Sequence, residues 1–230
     1  MLGISNIISP GKDLFSPRSV EKAVHWYRYG SGNEDGFTLE GGNVATWHDQ
    51  IGSNDLSKSG SSNIPFNDGD IDLDTNGGKL ALDATFDGNS NAFSIYLVAK
   101  ITTESISNEE ICNSNTSNFM RLNDADTIRV RIGDTTNNDI DIDTALEVGA
   151  WFVLGVEFTG STINIYQDAK YNIPSGTASD SDTFDGIASF GIRGNQFDGE
   201  IREIVLVDAA LDDKDRNRLM EYLIKIKNIA

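Results

Sequence analysis

The chain has 230 residues, of which 36 are acidic and 18 are basic, so its formal net charge is −18 at pH 7. A surface of this charge repels nucleic acids and anionic membranes, so we expect neither as a partner. No apolar run approaches the ~18 residues of a membrane span. The N-terminal stretch lacks the basic and apolar regions of a secretion signal, which indicates synthesis in a cytoplasm.

Residues 1–22 are predicted to form an arm, followed by one domain over residues 23–230. The arm is too short to build its own core and too apolar to remain in water. It therefore lies either on its own domain or on a partner protein. Its apolar side chains are the candidate partner-binding residues: Leu2, Ile4, Ile7, Ile8, Leu14 and Phe15.

The middle of the chain has the pattern of an antiparallel β protein. Glycine and Asn/Asp clusters recur between residues 35 and 200, and these residues adopt tight-turn conformations cheaply. The short segments between them are rich in Ile, Val, Phe and Thr, and several alternate polar with apolar positions. The clearest predicted strands cover residues 92–100, 126–133, 151–158, 162–168 and 199–208, with 151–158 and 162–168 forming a hairpin.

An amphipathic helix is predicted after the last strand. Leu219, Tyr222, Leu223 and Ile226 lie on one face at helical spacing, and Asp212 is placed to cap the amino end. A single helix on a β protein must lay its apolar stripe on the sheets or on a neighbouring subunit.

Three stretches together resemble the laminin-G-like members of the concanavalin A-like lectin/glucanase superfamily. They are NVATWHDQIGSNDLSKSG (43–60), the predicted hairpin WFVLGVEFTGSTINIYQDAKYN (151–172), and the C-terminal FDGEIREIVLVDAALDDKDRNRLMEYLIKIK. Two positions depart from the family pattern: Ile51 stands where serine is usual, and Ala169 replaces a turn glycine. The resemblance implies an all-β jelly-roll sandwich of two antiparallel sheets with a short C-terminal helix.

Glucanases share this fold and use paired acids for hydrolysis. A retaining glycosidase needs two carboxylates about 5–5.5 Å apart. Glu200 and Glu203 differ by an odd number of positions, so a regular strand would place them on opposite faces. We interpret Glu203 as a structural acid that pairs with a backbone amide or with Arg216. His25 and His48 lie in no nucleophile signature, so we expect no enzymatic activity.

Calcium and sugar are the remaining candidate ligands. Many laminin-G-like domains hold calcium at the rim of the sandwich, and the resemblance implies a site near Asp68, Asp70 and Asp198. No other cofactor is expected. Sugar recognition would use polar loops, for which residues 113–118, 133–138 and 175–182 are candidates. Trp26, Trp47 and Trp151 lie in predicted strands, where packing in the core is the usual role.

The overall format resembles virion proteins of tailed bacteriophages, although fold alone does not fix function. The leading hypothesis is a non-enzymatic structural or adhesive protein of a phage particle, oligomeric in the assembly. It would bind other virion proteins of the capsid, neck or tail through the arm. The alternative is a carbohydrate-binding module, with or without calcium, that recognises a host-surface glycan. A glycan hydrolase is the least favoured hypothesis.

Overall fold

The computed structural model describes residues 15–30, 36–67, 69–73, 78–88, 92–103, 109–114, 119–124, 127–132, 139–143, 146–168, 172–177, 186–191 and 197–229. A short 3₁₀ turn covers Pro17–Ser19. The strands are β1 (Ala23–Tyr27), β2 (Phe37–Glu40), β3 (Asn43–Trp47), β4 (Leu56–Lys58), β5 (Phe66–Asn67), β6 (Asp70–Asp72), β7 (Lys79–Phe86), β8 (Phe93–Ile101), β9 (Glu109–Asn113), β10 (Phe119–Asp124), β11 (Thr127–Arg131), β12 (Asp139–Asp143), β13 (Trp151–Phe158), β14 (Thr162–Gln167), β15 (Asn172–Thr177), β16 (Ile187–Gly191) and β17 (Gly199–Val207). Helix α1 covers Asp213–Lys227.

The strands form two antiparallel sheets. Sheet A has the order β15-β14-β13-β8-β17-β6-β5, and β1 also pairs with β17. Sheet B has the order β12-β11-β10-β9-β16-β7-β4-β3-β2. The predicted all-β sandwich with a C-terminal helix is therefore confirmed, as is the β13–β14 hairpin.

Two apolar layers hold the domain together. The larger layer lies between the sheets and includes Trp47, Phe93, Leu97 and Ile204. The smaller layer lies between the outer face of sheet A and helix α1, which packs across β13, β8 and β17. The molecule therefore has three layers, with sheet A in the middle.

The central strands of sheet A are buried on both faces. In β8, each residue from Phe93 to Ala99 is buried, and β17 is buried from Ile201 to its end. A strand of a simple two-layered sandwich exposes one face to water, but both faces of these strands are covered. The reason is that α1 excludes water from the second face.

Helix α1 matches its sequence signals closely. The Asp212 side chain accepts a hydrogen bond from the Asp215 amide at 2.8 Å, which confirms the predicted cap. Leu219 and Leu223 are fully buried, and Met220, which the predicted stripe did not include, is buried with them. No helix in the described part of the chain is both long enough and apolar enough to cross a membrane.

The segment before β1 also packs beneath this helix. The Phe15 ring meets the Tyr222 ring edge-on at 6.1 Å, and the Arg218 guanidinium lies 4.9 Å from the Phe15 ring centre. Val20 is buried in the same layer. Of the six candidate partner-binding residues, Phe15 therefore contacts its own domain, whereas Leu2, Ile4, Ile7, Ile8 and Leu14 lie outside the described residues. The boundary of the arm at residue 22 stays a prediction.

Two acids are buried between sheet A and α1. Glu203 accepts hydrogen bonds from the Trp26 indole at 2.7 Å, from the Tyr29 amide at 3.2 Å and from Tyr222. The prediction that Glu203 pairs with a backbone amide is confirmed, whereas the alternative prediction that it pairs with Arg216 is wrong. Arg216 instead binds Glu157, the second buried acid, at 3.2 Å.

Glu157 is held mainly by tyrosine hydroxyls. Tyr96 and Tyr166 both donate to its carboxylate, together with Arg216. Burial raises the pKa of Glu157, and these hydrogen bonds oppose that rise. Both acids thus tie α1 to the sheet through polar contacts within an otherwise apolar layer.

Glu203 should make stability depend on pH. Burial raises its pKa from 4.5 to about 7, although the hydrogen bonds from Tyr222, Trp26 and Tyr29 oppose the rise. The folded chain therefore binds this proton more tightly than the unfolded chain does. The stabilisation is fully present below pH 4.5 and is lost as the pH rises through about 7, a change of up to about 3 kcal/mol.

We expect Glu203→Gln to flatten the pH dependence of the unfolding free energy in this range, because glutamine mimics the neutral acid without titrating. Urea unfolding at a series of pH values measures this. Glu40→Gln, at an exposed position of β2, should leave the profile unchanged. A Glu203→Gln profile as steep as that of the unmodified protein would contradict the assignment.

Candidate functional site

The site is built around an extra residue in β17. Ile201 lies opposite Ala99 and Glu203 lies opposite Val98, so Arg202 has no partner position in β8 and forms a β-bulge. Regular alternation had predicted Glu200 and Glu203 on opposite faces. That prediction is wrong, because the bulge brings both acids to the face that α1 covers.

These two acids nevertheless serve separate structural pairs. Glu200 forms an ion pair with Lys100 at 2.7 Å. Glu203 is fully buried and is bound by the Trp26 and Tyr222 side chains. Since no substrate can reach Glu203, the pair does not form the exposed acid–base arrangement that glycoside hydrolysis requires.

Arg202 joins three elements through its guanidinium group. Its Nε and Nη2 donate to the two carboxylate oxygens of Asp70 at 2.6 and 2.9 Å. Its Nη1 lies within hydrogen-bond distance of the carbonyl oxygens of Ile226, Lys227 and Ile229, at 3.2, 3.2 and 2.9 Å. These contacts supply a donor to backbone carbonyls at and just after the last turn of α1. They also fix the end of α1 against β17 and β6.

The same guanidinium lies against an indole ring. The Arg202 Cζ atom is 4.0 Å from the centre of the Trp151 ring, and the Lys100 ammonium is 4.9 Å from it. Trp26 and Trp47 are buried in the core as predicted. Trp151 differs from them because it stays partly exposed at the first position of β13.

Trp151 lines a pocket of about 140 Å³ at the ends of strands β13 and β14 of sheet A. The pocket is bounded by the start of β13, the end of β14 and the end of α1. Its lining combines apolar with polar side chains: Leu146, Glu147, Ala150, Trp151, Phe152, Gln167, Asp168 and Lys227.

Asp168 sets the polar geometry of the pocket. It adopts a left-handed backbone conformation with a φ of 50°, which Asp tolerates better than most residues. Its Oδ1 atom accepts from the Val153 amide at 2.9 Å and from the Lys227 ammonium at 2.8 Å. Ala169, the predicted turn position, lies outside the described residues.

Several polar atoms of the lining remain available for a ligand. Within the described residues, neither Asp168 Oδ2 nor the Gln167 amide group makes a hydrogen bond, and the Glu147 carboxylate is exposed. Lys227 has three N–H donors, of which Asp168 takes one. The pocket therefore offers acceptors and donors beside an aromatic surface.

The two histidines lie at a separate corner with structural roles. His25 Nδ1 is 2.6 Å from Asp49 Oδ2, and His48 Nδ1 is 2.8 Å from Asp55 Oδ2. Burial acts to raise the pKa of Asp49, but bonds from His25 and from backbone amides outweigh it and lower the pKa to about 2. Asp49 thereby holds the 49–54 turn against β1, which explains the Trp-His-Asp motif.

The predicted calcium site is only partly within the described residues. Asp68 lies outside them, and both carboxylate oxygens of Asp70 bind Arg202. Asp198 accepts from the Thr103 hydroxyl at 3.3 Å. Among the described residues, no group of three or more His, Cys, Asp or Glu could hold a metal ion. Calcium binding through Asp68, Asp70 and Asp198 stays a prediction.

Sequence reasoning missed the pocket, although one signal pointed to it. The predicted β13–β14 hairpin places the start of β13 near the end of β14, where Gln167 pairs with Leu154 and Asp168 binds the Val153 amide. The contribution of Lys227 depends on where α1 packs, which the sequence does not specify. The proposed sugar loops fall mostly on residues outside the described part of the chain.

No protein-family model and no curated protein matches the chain. Solved structures do match it. The binding domain of botulinum neurotoxin DC in complex with SialylT is similar with a TM-score of 0.65 and 17% identity, over 90% of this chain and 52% of that chain. The same domain in complex with rat synaptotagmin II has a TM-score of 0.65 and 15% identity, over 90% of this chain and 52% of that chain.

A second toxin shows the same likeness. The binding domain of Paraclostridial Mosquitocidal Protein 1 has a TM-score of 0.65 and 13% identity, over 90% of this chain and 53% of that chain. The chain thus spans about half the length of these neighbours. At this identity the likeness establishes the fold, which is an all-β fold of the kind found in these binding domains. The narrower laminin-G-like resemblance stays a prediction.

Arg202 should contribute strongly to stability, because it joins β17, β6 and the end of α1. Arg202→Ala removes the partner of Asp70, whose side chain is 14% exposed, and we expect it to lower the unfolding free energy by about 3 kcal/mol. Urea unfolding monitored by circular dichroism measures the change. Arg218→Ala is a matched control, because its guanidinium is 39% exposed and lies 4.0 Å from Asp215, a contact worth at most about 1 kcal/mol. Equal losses in both variants would refute this role.

Proposed function

We propose that this chain is a non-enzymatic glycan-binding domain with an adhesive role, and that it binds sugar in the Trp151 pocket. The observation that carries the proposal is the pocket itself. The partly exposed Trp151 lines it together with Gln167, Glu147, Asp168 and Lys227. Sugar-binding sites need this combination, because a sugar presents C–H surfaces together with hydroxyl groups that both donate and accept.

The fold supports the proposal in a general way. The similar solved structures are binding domains, and one was determined in complex with SialylT. Since the alignment covers about half of each neighbour, the likeness alone does not transfer their binding sites to this chain. The assignment of the pocket therefore rests on its own side chains.

A hydrolytic function is less well supported. The acid with a pKa raised to about 7, which suits a general acid, is Glu203. It lies beneath α1, away from the pocket, and its side chain is fully buried. Asp168 is held by Lys227 and by the Val153 amide, which suits a binding role.

Attachment to a phage particle stays a prediction from the sequence. The residues that would make that contact lie chiefly in 1–14, outside the described part of the chain. An adhesive domain on a virion is compatible with the glycan-binding proposal, since the pocket is formed by residues of a single chain.

A glycan array with the full chain tests the proposal. Gln167→Ala should weaken binding to the recognised glycan about tenfold or more, because a loss of about 1.4 kcal/mol is typical of one well-made hydrogen bond. Trp151→Ala should abolish binding, whereas Trp151→Phe should retain part of it.

Gln50→Ala is the matched control, since Gln50 is a half-buried amide that bonds to the His48 carbonyl in the histidine corner. Thermal unfolding of each variant separates loss of binding from loss of structure, which matters for Trp151 because it contacts Arg202. Absence of binding to every glycan at high protein concentration would reject the proposal, as would equal binding by the Gln167 and Gln50 variants.

A further inference from the structure

The ionic groups that line the pocket carry an excess of negative charge. Glu147 and Asp168 are acidic, and Lys227 is the basic residue of the lining. The Lys227 ammonium lies 2.8 Å from Asp168, so its charge is already balanced within the protein. Glu147 is exposed and forms no ion pair within the described residues.

The cations behind Trp151 are balanced in the same way. Arg202 is bound by both oxygens of Asp70, and Lys100 lies 2.7 Å from Glu200. Neither cation is therefore free to compensate a negative charge that enters from solvent. The whole chain adds a long-range field of the same sign, since its formal net charge is −18.

This arrangement distinguishes ligands by charge. A hydroxyl group donates to a carboxylate in a charge-assisted hydrogen bond, which is among the stronger polar contacts. A ligand carboxylate or sulfate lacks a proton to donate and meets like charges at short range. The open acceptor atoms Asp168 Oδ2 and the Glu147 carboxylate thus favour ligands that are rich in hydroxyls and uncharged.

The size of the pocket limits how much of a glycan it can hold. Its volume is about 140 Å³, which is near the roughly 150 Å³ of a protein cavity that binds one benzene ring. A pyranose is likewise a single six-membered ring. Because a pyranose also carries substituents that benzene lacks, the pocket has room for no more than one sugar residue, with part of that residue in solvent.

From these observations we infer that the pocket selects a single uncharged pyranose residue and discriminates against sialylated, uronic or sulfated sugars. This inference rests on the proposed glycan-binding function and specifies its ligand class. Because the discrimination arises from charge, it has a distinct signature in salt dependence and in charge-removing variants.

The test uses pairs of probes in which one member is neutral and the other carries a carboxylate. Binding of the full chain to immobilised galactose and glucose is compared with binding to galacturonate and glucuronate, and binding to lactose with binding to sialyllactose. We expect each neutral probe to bind at least about tenfold more tightly than its acidic partner at low salt. The difference should shrink at 0.5 M NaCl, where the screening length falls to a few ångströms.

Asp168→Asn tests the source of the discrimination. Asparagine keeps an oxygen for the Val153 amide but leaves the Lys227 charge unbalanced, so binding to the acidic probes should strengthen at least several-fold. Asp83→Asn is the matched control, because Asp83 is an exposed acid on β7 of sheet B. It removes the same unit of charge from the chain and should leave the ratio between paired probes unchanged.

The outcomes separate this inference from the function on which it rests. Binding that is sensitive to Gln167→Ala but equal or stronger for the acidic probes would overturn the charge selection and leave glycan binding intact. If Asp83→Asn and Asp168→Asn change the ratio of neutral to acidic probe binding equally, the selectivity comes from the overall charge of the chain. That result would overturn its assignment to the pocket. No binding to any probe would reject both proposals.

Discussion

The arrangement of β6, β17 and the end of α1 around Trp151 depends on one buried guanidinium group, that of Arg202. Arginine stays charged in proteins and carries five N–H donors, so burying it requires partners in fixed directions. The Asp70 carboxylate accepts from Nε and Nη2, and the carbonyls at the end of α1 accept from Nη1. The bulge at Arg202 makes this possible, because a regular strand would not place both Arg202 and Glu203 beneath the helix. Strands β6 and β17, the helix end and Trp151 are thereby fixed in one geometry.

Between α1 and sheet A, the other buried polar groups are also hydrogen-bonded within an apolar layer. Glu203 and Glu157 are held by hydroxyl, indole and amide donors, with Arg216 as an additional cation for Glu157. Hydrogen bonds are directional, so these contacts specify the position of α1 on the sheet more strictly than apolar packing alone would. The position of α1 in turn decides that Lys227 faces the end of β14, and so it completes the pocket.

Much of the fold was accessible from the sequence because it depends on local patterns. The strands at 151–158 and 162–168, the cap at Asp212 and the stripe through Leu219 and Leu223 all follow from spacing and turn chemistry. The bulge at Arg202 was not accessible, because a one-residue insertion leaves no mark on composition. The same holds for the pocket, whose residues come from three elements that only tertiary packing brings together. Trp151 is an example. Its position in a strand predicts a buried core residue, but its side chain is partly exposed at the pocket.

The pairing of β1 with β17 has a consequence for how the protein acquires its structure. Trp26 and Glu203 form one contact although 177 positions separate them, and β17 is also the strand that links β8 with β6. Contacts this distant require closure of a very long loop and form late compared with hairpins such as β13–β14. During synthesis on the ribosome, the middle layer stays incomplete until the last strand emerges. The exposed edge of β8 must remain protected from aggregation until then, by chaperones or by its transient partners.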